Sequence, residues 1–103
     1  MKLLWTEQAL ISLRSIQNYI ESFSSEEVAN NFIKKLIARA ELLPTFPEME
    51  RIVPEINSGI FRELIEENYR IVYRLTSEAI EILTVFEGHK ILEIKELKSG
   101  TYD

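Results

Sequence analysis

Asn68-Tyr69-Arg70-Ile71-Val72-Tyr73-Arg74-Leu75 is the stretch that decides the fold. Tyr69, Ile71, Tyr73 and Leu75 alternate with Arg70, Val72 and Arg74. One face of the segment is therefore apolar, and the other carries two guanidiniums. This period of two marks a half-buried β-strand. Arginines held on a rigid strand are placed for planar anions such as phosphate or carboxylate. By strand rise Arg70 and Arg74 sit roughly 13 Å apart on one face.

On either side of this strand the same period recurs. Ile60 to Glu66 reads as a strand before it, with Glu67-Asn68 as the turn between them. Thr76-Ser77-Glu78 turns the chain again, Ala79 to Phe86 is a further strand, and Glu87-Gly88 ends it. Strands joined by connections this short pair as antiparallel hairpins. Upstream, Ile52-Val53-Pro54-Glu55-Ile56 is a strand candidate, with Pro54 suggesting an edge or a bulge. Asn57-Ser58-Gly59 is a turn. The tail from Ile91 to Leu97 reads equally as strand or helix turn and stays open.

The first half has a helical period instead. Lys2 to Trp5 is a short apolar run that reads as a strand, and Thr6 is a good N-cap with Glu7 in the first turn. Ala9, Leu13, Ile16, Ile20 and Phe23 then recur every three or four residues, which predicts a helix from about residue 7 to 22. Ser24 and Glu27 have capping-box spacing and start a second helix. Its apolar face is Ala29, Phe32, Ile33, Leu36, Ile37, Ala40 and Leu43, and Pro44 and Pro47 stop it. The short connection makes the two helices an antiparallel hairpin. A half-apolar sheet and an apolar helical hairpin must cover each other. The expected fold is α+β: an N-terminal strand that joins the sheet, an antiparallel helical hairpin, then an antiparallel β-meander packed on it. Residues 1–103 read as one domain.

Composition narrows the chemistry. The chain has 103 residues, 46% of them apolar and 28% charged, enough to bury a core without staples. It has no cysteine and one histidine, so neither a disulfide framework, a thiol nucleophile nor a zinc site is expected, and no cofactor. The start is too short in apolar residues for a signal peptide, and no run approaches a membrane span. A cytoplasmic protein without membrane contact is expected. The net charge of −5 argues against tight non-specific nucleic-acid binding. Local distribution matters more than the sum, so a protein partner is at least as plausible.

With these residues in this order, the chain resembles the RelE/ParE superfamily of type II toxins. The similarity runs through Trp5-Thr6, Ala9, Ile16 and Tyr19-Ile20 to Leu43-Pro44-x-Phe46-Pro47 and Arg51-x-Val53-Pro54-Glu55. It continues through Phe61-Arg62-Glu63-Leu64 and Tyr69-Arg70-x-x-Tyr73 to Gly88-His89-Lys90. Glu50 departs from the glycine usual in ParE-like members, which should alter only a loop. The resemblance implies a toxin neutralised by a cognate antitoxin. RelE-like members cut mRNA on the ribosome, and ParE-like members inhibit DNA gyrase. The RelE-type cluster matches poorly: Arg70 falls on one arginine position and Lys90 near another. Phe61 and Glu63 fall near the two lysine positions, and Glu96 near the late tyrosine. Tyr102 is the sole tyrosine after Tyr73. The ParE-like subgroup is therefore expected, acting as a binding inhibitor rather than an enzyme. No sequence-specific DNA binding is expected of the chain alone. The alternatives are a ribosome-dependent endoribonuclease using Arg70, His89 and Lys90, and an inactive or generic interaction module.

Arg62, Arg70, Arg74, His89 and Lys90 are the candidates for target or antitoxin contact. For Arg62 a structural role, bracing Glu55 or Glu66 across strands, is preferred. Arg70 and Arg74 read either as a solvated sheet face or as an anion or docking face. His89-Lys90 reads as an exposed turn, with a general acid or base at the sheet edge as its functional alternative. Tyr69 and Tyr73 belong to the core, and Lys34, Lys35 and Arg39 to a solvated helix face that could instead meet the antitoxin.

Overall fold

The computed structural model describes residues 1–48, 50–56 and 58–88. In chain order the elements are β1 (Lys2–Trp5), α1 (Glu7–Phe23), α2 (Glu26–Ala40), β2 (Arg51–Ile52), β3 (Phe61–Glu66), β4 (Tyr69–Leu75) and β5 (Ala79–Glu87). The class is α+β, as the two periods predict. The decisive strand, β4, has the predicted bounds. The open question of the tail lies outside the described residues.

The helices start where side chains can serve orphan N–H groups. Thr6 Oγ1 accepts from Ala9 N at 3.1 Å and also lies 2.9 Å from the Ile82 carbonyl, to which it donates. One hydroxyl thus caps α1 and ties its start to β5. The second cap differs from the expected one. Ser25, not Ser24, is the N-cap of α2, accepting from Val28 N at 3.1 Å. Ser24 instead ends α1, its N–H donating to the Ile20 carbonyl. Adjacent serines compete for the one extended position, and α1 runs a residue further than predicted, through Phe23. Phe23 is another correction: it leaves the apolar face and is 67% exposed, edge-to-face with Tyr19.

The sheet order is β1-β5-β4-β3-β2. β3, β4 and β5 form the antiparallel meander, and β1 pairs parallel with β5, Leu3 opposite Ile80. The turn between β3 and β4 places Glu67 at φ 54, a left-handed conformation that costs a residue with a Cβ. The β4–β5 register skips Leu83, with Val72 opposite Thr84 and Tyr73 opposite Ile82. This extra residue is a β-bulge. The strand expected from residue 52 to 56 is shorter and earlier: only Arg51 and Ile52 pair with β3, and 54–56 form a turn. Pro54 cannot donate to a ladder, so pairing ends before it.

The helical hairpin covers one face of the sheet. Leu13, Ile16 and Ile20 of α1, and Ala29, Leu36 and Ala40 of α2, pack on Leu64, Tyr69, Ile71, Tyr73, Ile80, Ile82 and Val85. Tyr69 and Tyr73 are core residues as expected, with Phe32 against Tyr69 at 5.4 Å. Tyr73 still satisfies its hydroxyl, donating to the Pro47 carbonyl at 2.9 Å. On the opposite face Val53, Val72 and Leu83 make a smaller cluster with Ile56, Phe61 and Phe86 packed on it. The turn after β2 therefore folds over the face of the sheet that the helices leave open. No helix among the described residues is long and apolar enough to cross a membrane.

Candidate functional site

Arg70 lies at the centre of that second face. Strand alternation points it away from the helices, but the turn after β2 prevents it from reaching open water. Only 5% of the residue is exposed. The solvated face and the open anion site expected for it are both corrected by its partners. Its Nε donates to Glu63 Oε1 at 2.7 Å, and Nη2 contacts the same oxygen. Its outer edge is bidentate: Nη1 donates to Glu55 Oε2 at 2.8 Å and Nη2 to Glu55 Oε1 at 2.7 Å. The guanidinium carbon sits 5.0 Å from the centroid of the Phe86 ring, a cation–π contact. Beyond it, Arg51 Nε donates to the other oxygen of Glu63. Among the described residues, two guanidiniums and two carboxylates balance in this network. The hydrogen bond to Glu55 raises the Arg70 pKa above its ordinary value, burial opposes this, and Glu63 adds to the rise.

The two carboxylates differ in setting. Glu63 is fully buried, whereas the Glu55 side chain is one-third exposed. A buried ion pair of this kind is tolerated only because every partner is satisfied. Among the described residues, no buried side-chain nitrogen or oxygen lacks a hydrogen-bond partner. No group of three or more described His, Cys, Asp or Glu residues is placed to hold a metal.

The other candidates separate. Arg62 does not brace Glu55 or Glu66, which are already taken by Arg70 and by α2. Its guanidinium donates to three backbone carbonyls: Gly59 at 3.1 Å, Glu48 at 3.2 Å and Glu50 at 2.9 Å. The irregular chain on either side of β2 has carbonyls that no ladder satisfies, and Arg62 supplies the donors. Arg74 pairs with Glu81 across β5 at 3.1 Å and is one-third exposed, so it too is a paired group rather than a free cation. His89 and Lys90 lie outside the described residues. Lys35 and Arg39 are more than a solvated face: Arg39 contacts Glu66 Oε1 at 3.1 Å, and Lys35 contacts Glu66 Oε2 at 3.3 Å. These pairs fasten α2 to the β3–β4 hairpin. Glu50 lies in the bend before β2, 3.8 Å from Arg39.

The sequence reading missed Glu63 and Glu55 as partners of Arg70. Glu63 was legible in principle. With a two-residue turn at 67–68, Glu66 pairs with Tyr69, Ile65 with Arg70 and Glu63 with Val72. That register makes Glu63 a diagonal neighbour of Arg70 on the same face. Glu55 carries no comparable signal, because no strand register links it to β4.

Comparisons with known proteins agree with this architecture. The family model described as ParE toxin of type II toxin-antitoxin system, parDE, matches residues 3–92. A solved structure of a chromosomal ParDE TA system from P. aeruginosa superposes with a TM-score of 0.74 at 20% sequence identity, covering 84% of this chain and 95% of that one. At this identity the superposition speaks for the fold. No curated protein matches. The family match runs from within β1 to beyond β5 and takes in both helices, so this chain belongs to the ParE toxin family of type II toxin-antitoxin systems.

Proposed function

We propose that this chain is the toxin of a two-protein system, that it inhibits DNA gyrase by binding it, and that a cognate antitoxin neutralises it in the cytoplasm. Family membership supports the toxin role and the antitoxin partner. The choice of gyrase over mRNA rests on one observation: the charge around Arg70. Cleavage of RNA by its own 2′-hydroxyl needs groups that take a proton, supply one and offset phosphate charge. Among the described residues, the side chains shown against the Arg70 guanidinium are Glu55, Glu63 and the ring of Phe86. Two carboxylates there repel a phosphate and leave the described part of this face with no surplus cation. The tyrosines of β4 face the helical core and are unsuited to acid–base work, since burial raises the Tyr73 phenol pKa, as it does that of Tyr69. A face of this kind suits binding rather than phosphodiester chemistry. The overall charge of −5 fits a protein partner rather than direct contact with DNA.

The test is induced expression of the chain without an antitoxin, following DNA supercoiling and mRNA integrity in the same cells. Lost supercoiling or DNA breaks with intact mRNA is the expected result. Early mRNA cleavage with normal DNA would overturn it in favour of a ribosome-dependent nuclease built on Arg70, His89 and Lys90. Normal growth with soluble, folded protein would leave neither activity and would point to an inactive interaction module.

A further inference from the structure

The two carboxylates on Arg70 serve different ends. Glu63 grips the inner edge of the guanidinium, is fully buried, and has Arg51 on its second oxygen. Together with the Phe86 ring it sets the plane of the fork without help from Glu55. The outer edge, Nη1 and Nη2, is aimed at the position that the Glu55 carboxylate occupies. That position is reached by solvent, since the Glu55 side chain is one-third exposed while the Arg70 side chain is 6% exposed. Glu55 lies in a turn, outside the strand ladders, on the solvent-facing side of the guanidinium. Val53 anchors this turn in the smaller core through Val53 N to the Phe61 carbonyl. Without Glu55, the described part of the network would hold Arg51 and Arg70 against Glu63. What remains is a preset bidentate donor edge above the apolar Val53, Ile56 and Phe86. Such an edge matches a carboxylate in geometry.

From this we infer that Arg70 is the floor of a carboxylate-binding site and that Glu55 is its internal occupant, exchanged for the carboxylate of an acidic protein segment when a partner docks. Glu55 masks the site in the free protein. A buried guanidinium edge left without acceptors would be costly. A self-ligand removes that cost until a partner supplies the replacement. Exchange of one carboxylate for another conserves the charge and the hydrogen bonds at the outer edge of Arg70, so the partner's remaining contacts set its direction. The inference does not rest on gyrase as the target, and its test reads the purified protein.

The experiment compares the wild type with Glu55→Ala, using sodium acetate as the probe and sodium chloride at equal ionic strength as the control. The readouts are the Arg70 Nε–Hε resonance and the thermal midpoint. In Glu55→Ala, acetate should shift that resonance saturably and raise the midpoint, while chloride does neither. The wild type should bind acetate at least about tenfold more weakly, because its open fraction divides the apparent affinity. If Glu55→Ala does not fold, Glu55→Gln takes its place with the same readouts. A loss of stability in the variant with no acetate response at Arg70 would overturn the proposal, making Glu55 a structural pair and nothing more. Equal responses in wild type and variant would also overturn it, since binding would then lie elsewhere. A response to inorganic phosphate but not to acetate would refute the carboxylate assignment and move the site towards nucleic acid.

Discussion

Replacing Arg70 with leucine tests whether the polar network on the open face is held by pairing or by the charge itself. Arg70→Leu leaves Glu63 fully buried with a single partner, Arg51, whose side chain is 57% exposed. Glu55, one-third exposed, keeps its access to water. Breaking a buried pair from one side costs about 3–5 kcal/mol. Arg51 still neutralises Glu63, and a pair with an exposed partner is worth about 0–1 kcal/mol, so the lower end, about 3 kcal/mol, is expected. For a chain of this size that corresponds to a fall of about 12–24 °C in Tm. Glu63→Leu/Arg70→Leu should then recover most of the loss. Both side chains would be apolar beside Val53, Val72, Leu83 and Phe86, and Arg51 would move into solvent. Replacing a buried pair with apolar residues is often neutral or stabilising, so the double variant should lie within about 1 kcal/mol of wild type. Urea unfolding read by far-ultraviolet circular dichroism measures all three proteins. If the double variant is as unstable as Arg70→Leu, uncompensated charge is not the source of the loss, and the reasoning fails.

Three further outcomes are expected. Thr6→Ala removes both the α1 cap and a bond from α1 to β5, and should cost about 1–2 kcal/mol; the same urea titration checks it, and a change under half of that would contradict the double role of Thr6. Glu67→Gly relieves the left-handed backbone at the β3–β4 turn and should stabilise by up to about 1 kcal/mol; loss of stability would show that the 3.9 Å contact with Lys35 outweighs the strain. Burial pushes the Tyr73 phenol above its ordinary value of 10.0, with Glu50 adding to the rise and Arg62 opposing it. Above about pH 10 the native state keeps a proton that the unfolded chain has lost, so stability present below that pH falls as pH rises. Tyr73→Phe should flatten this alkaline fall while costing about 1 kcal/mol at neutral pH through the lost bond to Pro47. Unfolding midpoints between pH 7 and 11 measure both effects, and an unchanged alkaline slope would rule Tyr73 out as its source.

Local periodicity settled much of this protein from its sequence. The alternation from Tyr69 to Leu75 set both the strand and the face that each side chain takes, because a period of two leaves no freedom. The helical spacing of Ala9, Leu13, Ile16 and Ile20 did the same for α1, and short turns forced the antiparallel meander. Even the Glu63–Arg70 diagonal was implicit in the two-residue turn at 67–68. What pattern could not supply was choice among equivalent neighbours and contacts between segments without a common register. Ser24 and Ser25 are equally good caps, and only the length of α1 selects Ser25. Phe23 fits the helical period but is the last residue of α1, where it packs on Tyr19 in solvent rather than on the sheet. The ladder at β2 stops after two residues because Pro54 has no N–H, and the freed turn lays Glu55 on Arg70. Whether Arg70 is a solvated cation, an open anion site or a masked one depends on that turn, fifteen residues away. Hydrogen-bond satisfaction of a buried guanidinium is a property of three-dimensional surroundings, so only the tertiary structure decided it.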